Sequence, residues 1–327
     1  MRILVTGAAG MIGRKLTERL ARDGALGSEP IDRLVLVDVV APALDAPAGM
    51  EIESVSVDVS EPGVADILFR NRPDLVFHLA AVVSGEAEAD FEKGYRVNVD
   101  GTRHLLEAVR STSHGYCPRF VFASSIAVFG SPFPDVIPDD FCTAPLTSYG
   151  TQKAIAELLL CDYSRRGFLD GIGVRLPTIT VRPGAPNKAA SGFFSGIIRE
   201  PLGGRHAVLP VPDDIRHWHA SPRAAVEFLL HAATLDTRIL GHRRCLTMPG
   251  VSVTVAEQIA ALRRVAGEEA VALITRQPDE TVLAIVGGWP REFEPQRAIA
   301  LGFRAETSFD EIVRVYVEDE LDGRAAS

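Results

Sequence analysis

Tyr149 and Lys153, four residues apart in the stretch SYGTQKA, have a spacing that could do chemistry. On a helix both side chains project from one face. A lysine cation there lowers a phenol's pKa from its ordinary value of about 10 and makes the phenolate accessible. Ser125, in FASSIAVFG, follows an apolar run of strand length, and ligands bind at the carboxyl ends of strands in parallel sheets. The three groups suit the oxidation of an alcohol. Tyr149 takes the hydroxyl proton, Ser125 hydrogen-bonds the reacting oxygen, and Lys153 tunes the tyrosine and holds the ribose of a nicotinamide cofactor.

Such a reaction needs a dinucleotide, and TGAAGMIG at residues 6–13 has the residues to bind one. Gly7 permits a tight turn, Gly10 lets the backbone approach a pyrophosphate, and Gly13 lets a helix pack closely on a sheet. Met11 and Ile12 open that helix, where backbone amides and the helix dipole favour phosphate. Asp38 closes RLVLVD; a carboxylate at this point accepts from the adenosine ribose hydroxyls and repels a 2′-phosphate, which predicts NAD rather than NADP. Asp58, ending the next strand pattern, is placed to meet the adenine amine.

The elements that must position these residues alternate. Up to about residue 180, the runs RILVT, RLVLVD, ESVSVD, DLVFHLA, RFVFASS and GVRLPTITVR read as strands. Helical patterns fall between them at 11–23, 62–71, 93–111 and 149–166. The strands are almost continuously apolar, as strands covered on both faces are. The alternation predicts an α/β fold with a doubly wound parallel sheet and right-handed crossovers. Beyond residue 180, Pro183, Pro186, Pro201, Pro210, Pro212 and Pro222 divide the chain into short pieces. Capping boxes at Thr254 with Glu257 and at Ser308 with Glu311 mark later helix starts. The expected organisation is a cofactor domain at 1–175, to which about 215–240 returns, and a smaller C-terminal α/β substrate lobe at 176–327.

Composition narrows the function classes. No apolar run in the 327 residues approaches the ~18 of a membrane span. MRILVTG reads as strand and turn rather than as an export leader, so a cytoplasmic protein is expected. Cys117, Cys142, Cys161 and Cys245 form no C-x-x-C pair, which favours reduced thiols. The net charge of -9 argues against general nucleic-acid binding. Residues 175–225 nevertheless hold seven basic side chains against three acidic ones, a local surplus that suggests a bound anion.

The glycine loop, Asp38, HLAA (78–81), VNVDGT (97–102), SSIAVFG, YGTQK and AIALGF (298–303) resemble the extended short-chain dehydrogenase/reductase family. That family includes nucleotide-sugar epimerases and dehydratases. The resemblance implies a Rossmann domain, NAD and a C-terminal substrate lobe. It implies that Leu79, Ala80 and Ala81 line the cofactor, that Val59 and Pro177 flank it, and that Asn98 supports the site. Dehydratases of the family carry an Asp-Glu pair where Ile126 and Ala127 stand here, so dehydration is not expected. Its epimerases carry a late R-D-x-x-H-V-x-D segment, of which RHWHASPR keeps Arg216.

Two longer stretches, HLAAVVSGEAEADFEKGYRVNVDGT and RLPTITVRPGAPNKAASGFFSGIIREPLGG, resemble a branch of the family that acts on a four-carbon aldonic acid. This implies NAD-linked oxidation at C2 to a 2-oxo acid. A nucleotide-sugar epimerase, or a dehydrogenase of another sugar acid such as a uronate, is the alternative. Arg182, Asn187, Lys188, His217 and His219 are candidate partners for the substrate carboxylate, and Ser84 and Thr178 are further substrate candidates. HWH places His217 and His219 on one face of a strand, but no third ligand is evident and no metal is expected. The helix from Tyr149 is apolar nearly all round, which predicts a homodimer in which it packs against the same helix and the 93–111 helix of a second subunit.

Overall fold

The computed structural model describes residues 1–112, 115–184, 191–321 and 323. Its central sheet has seven strands: β1 (Arg2–Thr6), β2 (Arg33–Asp38), β3 (Glu51–Ser56), β4 (Leu75–His78), β5 (Arg119–Ser125), β6 (Asp170–Leu176) and β7 (Cys245–Thr247). They lie in the order β7-β6-β5-β4-β1-β2-β3. β1 pairs in parallel with β2 on one side and β4 on the other, and β2–β3 and β4–β5 are also parallel. This is the doubly wound Rossmann order, with its switch point beside β1. Ile3, Leu4, Val5, Val76, Phe77, Phe120 and Val121 are fully buried, which accounts for the unbroken apolar runs in sequence.

Three helices bear on the site: α1 (Met11–Asp23), α2 (Thr102–Ser111) and α3 (Ser148–Arg165). The 93–111 pattern is not one regular helix. It comprises an α-helix at Phe91–Tyr95, a π-helical turn at Arg96–Gly101 and then α2. The 62–71 pattern shortens to Val64–Leu68. GVRLPTITVR is also divided. Pro177 has no N–H to give a ladder, so β6 stops at Leu176, and Thr178–Ile179 joins a different sheet.

The chain forms two compact units, one of residues 1–128, 145–175 and 226–246, the other of 129–144, 176–225 and 247–327. In the second, Thr178–Ile179 pairs in parallel with Arg216–Ala220, which pairs antiparallel with Val251–Thr254. Phe194, Ile197, Ile198, Val255, Leu262, Ile312 and Val313 form its core. Thr254 and Glu257 make the full reciprocal capping box. At Ser308 only half of one forms: the Ser308 hydroxyl accepts from the Glu311 amide, but the Glu311 carboxylate takes the Thr307 amide and hydroxyl instead.

Candidate active site

α3 begins at a position fixed by glycine. Thr147 caps it by accepting from the Gly150 amide at 3.0 Å. A Cβ on Gly150 would lie 2.1 Å from the Ala127 carbonyl oxygen and 2.9 Å from Pro145. The first turn of α3, with Tyr149, can therefore lie against the segment that follows Ser125. Ser125 Oγ accepts from the Ala127 amide at 3.1 Å, which orients its hydroxyl at the end of β5.

One turn along, Lys153 is buried and its Nζ donates to the Ala123 carbonyl at 2.8 Å. Its ammonium stands 4.7 Å from the Phe122 ring centroid and 5.8 Å from that of Tyr149. Burial pulls its pKa down to about 8, against the opposing pull of the Glu157 carboxylate. Glu157 in turn accepts from Ser124 Oγ at 2.6 Å and from both Nε and Nη2 of Arg175, at 2.9 and 2.7 Å. Nothing in the sequence pattern marks this buried Ser124–Glu157–Arg175 group, because its members are far apart in the chain.

The glycine loop leaves open backbone donors. Gly7 has φ +76°, and a Cβ there would lie 2.6 Å from the Ala80 nitrogen, so the loop rests directly on the Leu79–Ala80 backbone. A Cβ on Gly13 would lie 2.1 Å from the Gly7 carbonyl oxygen. Gly10 is the N-cap of α1 with no side-chain cap, and no acidic residue stands in the first turn of that helix, which Met11 and Ile12 open. A helix start with uncapped amides and no carboxylate suits a pyrophosphate.

Asp38 accepts from the Ala9 amide at 3.0 Å and so ties the loop to β2. Asp58 lies two residues past the end of β3. It accepts from the Ser60 amide and hydroxyl and from Arg96 at 2.9 Å. Burial raises its pKa, but these donors outweigh burial and hold it below the ordinary carboxylate range.

His78, Asn98 and Thr102 link the sheet to the helices. Thr102 Oγ1 donates to the Asn98 carbonyl, so it must accept from His78 Nε2 at 2.9 Å, and His78 Nδ1 accepts from Thr6 at 2.7 Å. Burial beside Lys153 pushes the His78 pKa down to about 3 and keeps the ring neutral. Asn98 holds both main-chain groups of Val82, at 2.8 and 3.0 Å. Val59 is buried; Ser84 is half-buried and opens the short helix Ser84–Ala89.

In the second unit, His217 Nε2 accepts from the Thr178 hydroxyl at 2.6 Å and Nδ1 donates to the Pro290 carbonyl at 2.9 Å, with the ring stacked on Phe194. Its pKa is driven down to about 4 by burial. His219 lies between Thr180 and Gln258. Both histidines are thus neutral, buried and engaged, and the described residues hold no group of three or more His, Cys, Asp or Glu fit for a metal ion. Of the seven basic residues in 175–225, Arg175, Arg199, Arg205, Arg216 and Arg223 pair with carboxylates, so the local surplus is largely neutralised within the protein. Arg182 is half-buried and donates from Nε to the Ile179 carbonyl at 3.1 Å. Pro177 directly precedes Thr178; Asn187 and Lys188 lie outside the described residues.

Strand order and glycine turn define the class, a dinucleotide-binding protein built on a Rossmann sheet. The chain belongs to the NAD dependent epimerase/dehydratase family, whose model matches residues 3–220, and NAD is its cofactor. It is 50% identical over 324 residues to D-erythronate dehydrogenase of Cupriavidus necator, covering 98% of each chain. It is 40% identical over 322 residues to D-erythronate dehydrogenase of Haemophilus influenzae, covering 98% of this chain and 100% of that one. A crystal structure described as the nucleoside-diphosphate-sugar epimerase from Agrobacterium tumefaciens superposes with a TM-score of 0.97 at 61% identity, over 99% of this chain and 95% of that one. L-threonine 3-dehydrogenase from Trypanosoma brucei, 24% identical with a TM-score of 0.84 over 100% and 99% of the two chains, shares the fold.

Proposed function

We propose that this protein is an NAD-dependent dehydrogenase of a small 2-hydroxy sugar acid, oxidising D-erythronate at C2 to 2-oxo-tetronate in sugar-acid catabolism. The observation that carries the reading is the near full-length similarity to two D-erythronate dehydrogenases, joined here to Ser125, Tyr149 and Lys153. The glycine loop would hold the pyrophosphate of NAD, Asp38 its adenosine ribose, and Lys153 its nicotinamide ribose. NAD, when bound, supplies the acceptor for the C2 hydride. Tyr149 as phenolate takes the C2 hydroxyl proton, and Ser125 donates a hydrogen bond to the same oxygen as it becomes a carbonyl. Lys153, cationic beneath the Tyr149 ring, favours that phenolate. Arg182 is the described residue we assign to the substrate carboxylate, with Thr178 and Ser84 toward the hydroxyls. His217 and His219 fit better as buried supports, since the ring nitrogens of each already meet neighbouring side chains or backbone.

The name of the Agrobacterium structure favours a second reading, a nucleotide-sugar epimerase. Arg216, all that remains of the epimerase segment, points to Glu257 at 3.2 Å and to the Ser252 carbonyl at 3.0 Å, which leaves it engaged within its own unit. The two readings differ in cofactor traffic: a dehydrogenase releases NADH at each turnover, whereas an epimerase reoxidises it in place. Purified protein with NAD and a panel of aldonic acids, uronic acids and nucleotide sugars should form NADH with D-erythronate above the rest. Epimerised nucleotide sugar without accumulating NADH would reject the dehydrogenase.

We place the enzyme in the cytoplasm as a homodimer. Among the described residues no helix is long and apolar enough to cross a membrane. The dimer is supported by the outward face of α3, where Leu158 is 70% exposed, and by Phe91, 55% exposed, on the helix before the π turn.

A further inference from the structure

Between β4 and α2 the chain passes through residues 79–101, a segment of short helices that carries Ala80 and Ala81 at one end and Ser84 beyond them. Val82 lies outside any helix or strand, and its amide and carbonyl are both held by the side chain of Asn98. Asn98 is in turn held from α3, for its Nδ2 donates to Gln152 Oε1 at 2.7 Å. Gln152 is three residues after Tyr149 and directly before Lys153. A continuous chain of contacts therefore runs from the catalytic helix through Gln152 and Asn98 to the main chain of Val82.

The site is built to admit this amide. Gln152 is 0% exposed. A Cβ on Gly94 would lie 2.6 Å from Gln152 Nε2 and 3.2 Å from Oε1, so the Phe91–Tyr95 helix can close over it only because residue 94 has no side chain. Gln152 Nε2 has no hydrogen-bond partner among the described residues. A buried donor without a partner loses its hydration uncompensated, whereas an apolar side chain of equal length would fill the space without that cost. The bond that its carbonyl accepts from Asn98 is thus kept at the expense of stability. A second contact ties the same segment to the start of α3: Glu88 accepts from the Ser148 amide at 2.5 Å and from its hydroxyl at 3.3 Å.

We propose that Gln152 is a positioning residue, setting the separation between the Tyr149–Lys153 face and the 80–84 segment through Asn98. The proposal rests on the reading of Tyr149 and Lys153 as the groups that perform the chemistry.

Gln152→Met keeps the length and volume of the side chain and removes the acceptor. Amide hydrogen exchange in peptides spanning 79–84 should rise about tenfold at Val82 in the cofactor-free protein, with the thermal midpoint within about 3 °C of wild type. With NAD and D-erythronate, kcat should fall about tenfold while KM for NAD moves less than threefold, because geometry is lost rather than binding. In an Asn98→Ala background, Gln152→Met should add less than about a twofold change in exchange. Unchanged exchange at Val82 would overturn the proposal. So would a parallel fall in kcat, NAD binding and thermal midpoint, the signature of a merely structural residue. Should wild type oxidise no sugar acid, the functional reading fails, and the exchange measurement still decides whether Gln152 holds Val82.

Discussion

Lys153 occupies a place where an ammonium is costly: it is buried with one carbonyl as hydrogen-bond partner, and the Phe122 ring, its centroid 4.7 Å from Nζ, favours the cation locally. The Glu157 carboxylate one turn away offsets part of that cost, and Arg175 holds Glu157 in place through two hydrogen bonds. Tyr149→Phe leaves the ring packing and Lys153 in place and removes only the hydroxyl proposed to take the proton. Turnover should fall by about 10²-fold or more while NAD affinity, measured by fluorescence titration, changes little. A fully active Tyr149→Phe enzyme would assign the base elsewhere. At the other end of the cofactor, Asp38→Ala should weaken NAD and relieve the exclusion of NADP, and equal wild-type efficiency with the two cofactors would reject the role given to Asp38. The Tyr-Lys spacing and the glycine triplet were legible because each is a local pattern imposed by a helix or a turn. Glu157 and Arg175 were not, since a buried pair across a helix and a strand leaves no periodic trace.

α3 buries polar side chains and leaves apolar ones on its outer face. Gln152, Lys153 and Glu157 lie on its inner face with Ala156 and Leu160, while Leu158 points outward and Ile155 and Leu159 are only partly covered. The apolar excess seen in the sequence is therefore an outer stripe, the arrangement expected of a helix that meets a second subunit. Leu158→Asp should turn a dimer into a monomer of 35.2 kDa in sedimentation at micromolar concentration. Wild type sedimenting as a monomer under those conditions would reject the interface. Element types followed from periodicity, but the break at Arg96–Gly101 did not. A π turn shifts the register by one residue without changing which residues are apolar, and here the same turn directs Arg96 to Asp58 and Asn98 to Val82.

Over the whole molecule, the acidic net charge is less informative than three buried neutral histidines. Burial lowers His78 to about 3 and His217 to about 4, and holds His219 well below its ordinary value. Each is depressed on folding, so from about pH 6.5 downward the unfolded chain binds protons that the native state refuses. Stability should be full above that pH and fall as pH drops through 6 and 5, by as much as about 4 kcal/mol per pH unit if all three act together. Urea midpoints at pH 7, 6 and 5 check this, and equal midpoints at 7 and 5 would contradict it. Within the division into two units, the excursion of one internal segment was the least legible feature. Residues 129–144 join the second unit from within the first unit's sequence; Pro132, Pro134 and Pro138 mark them as a loop, but a loop composition does not say which unit it joins.

The proposed function turns on one step, departure of a hydride from C2 of a small sugar acid to NAD with Tyr149 as the base. D-Erythronate carrying deuterium at C2 tests it directly, read by mass spectrometry of the reduced cofactor. One deuterium per NADH formed is expected, with loss of that signal in Tyr149→Phe. Unlabelled NADH from the deuterated acid, or labelled NADH formed equally well by Tyr149→Phe, would contradict it.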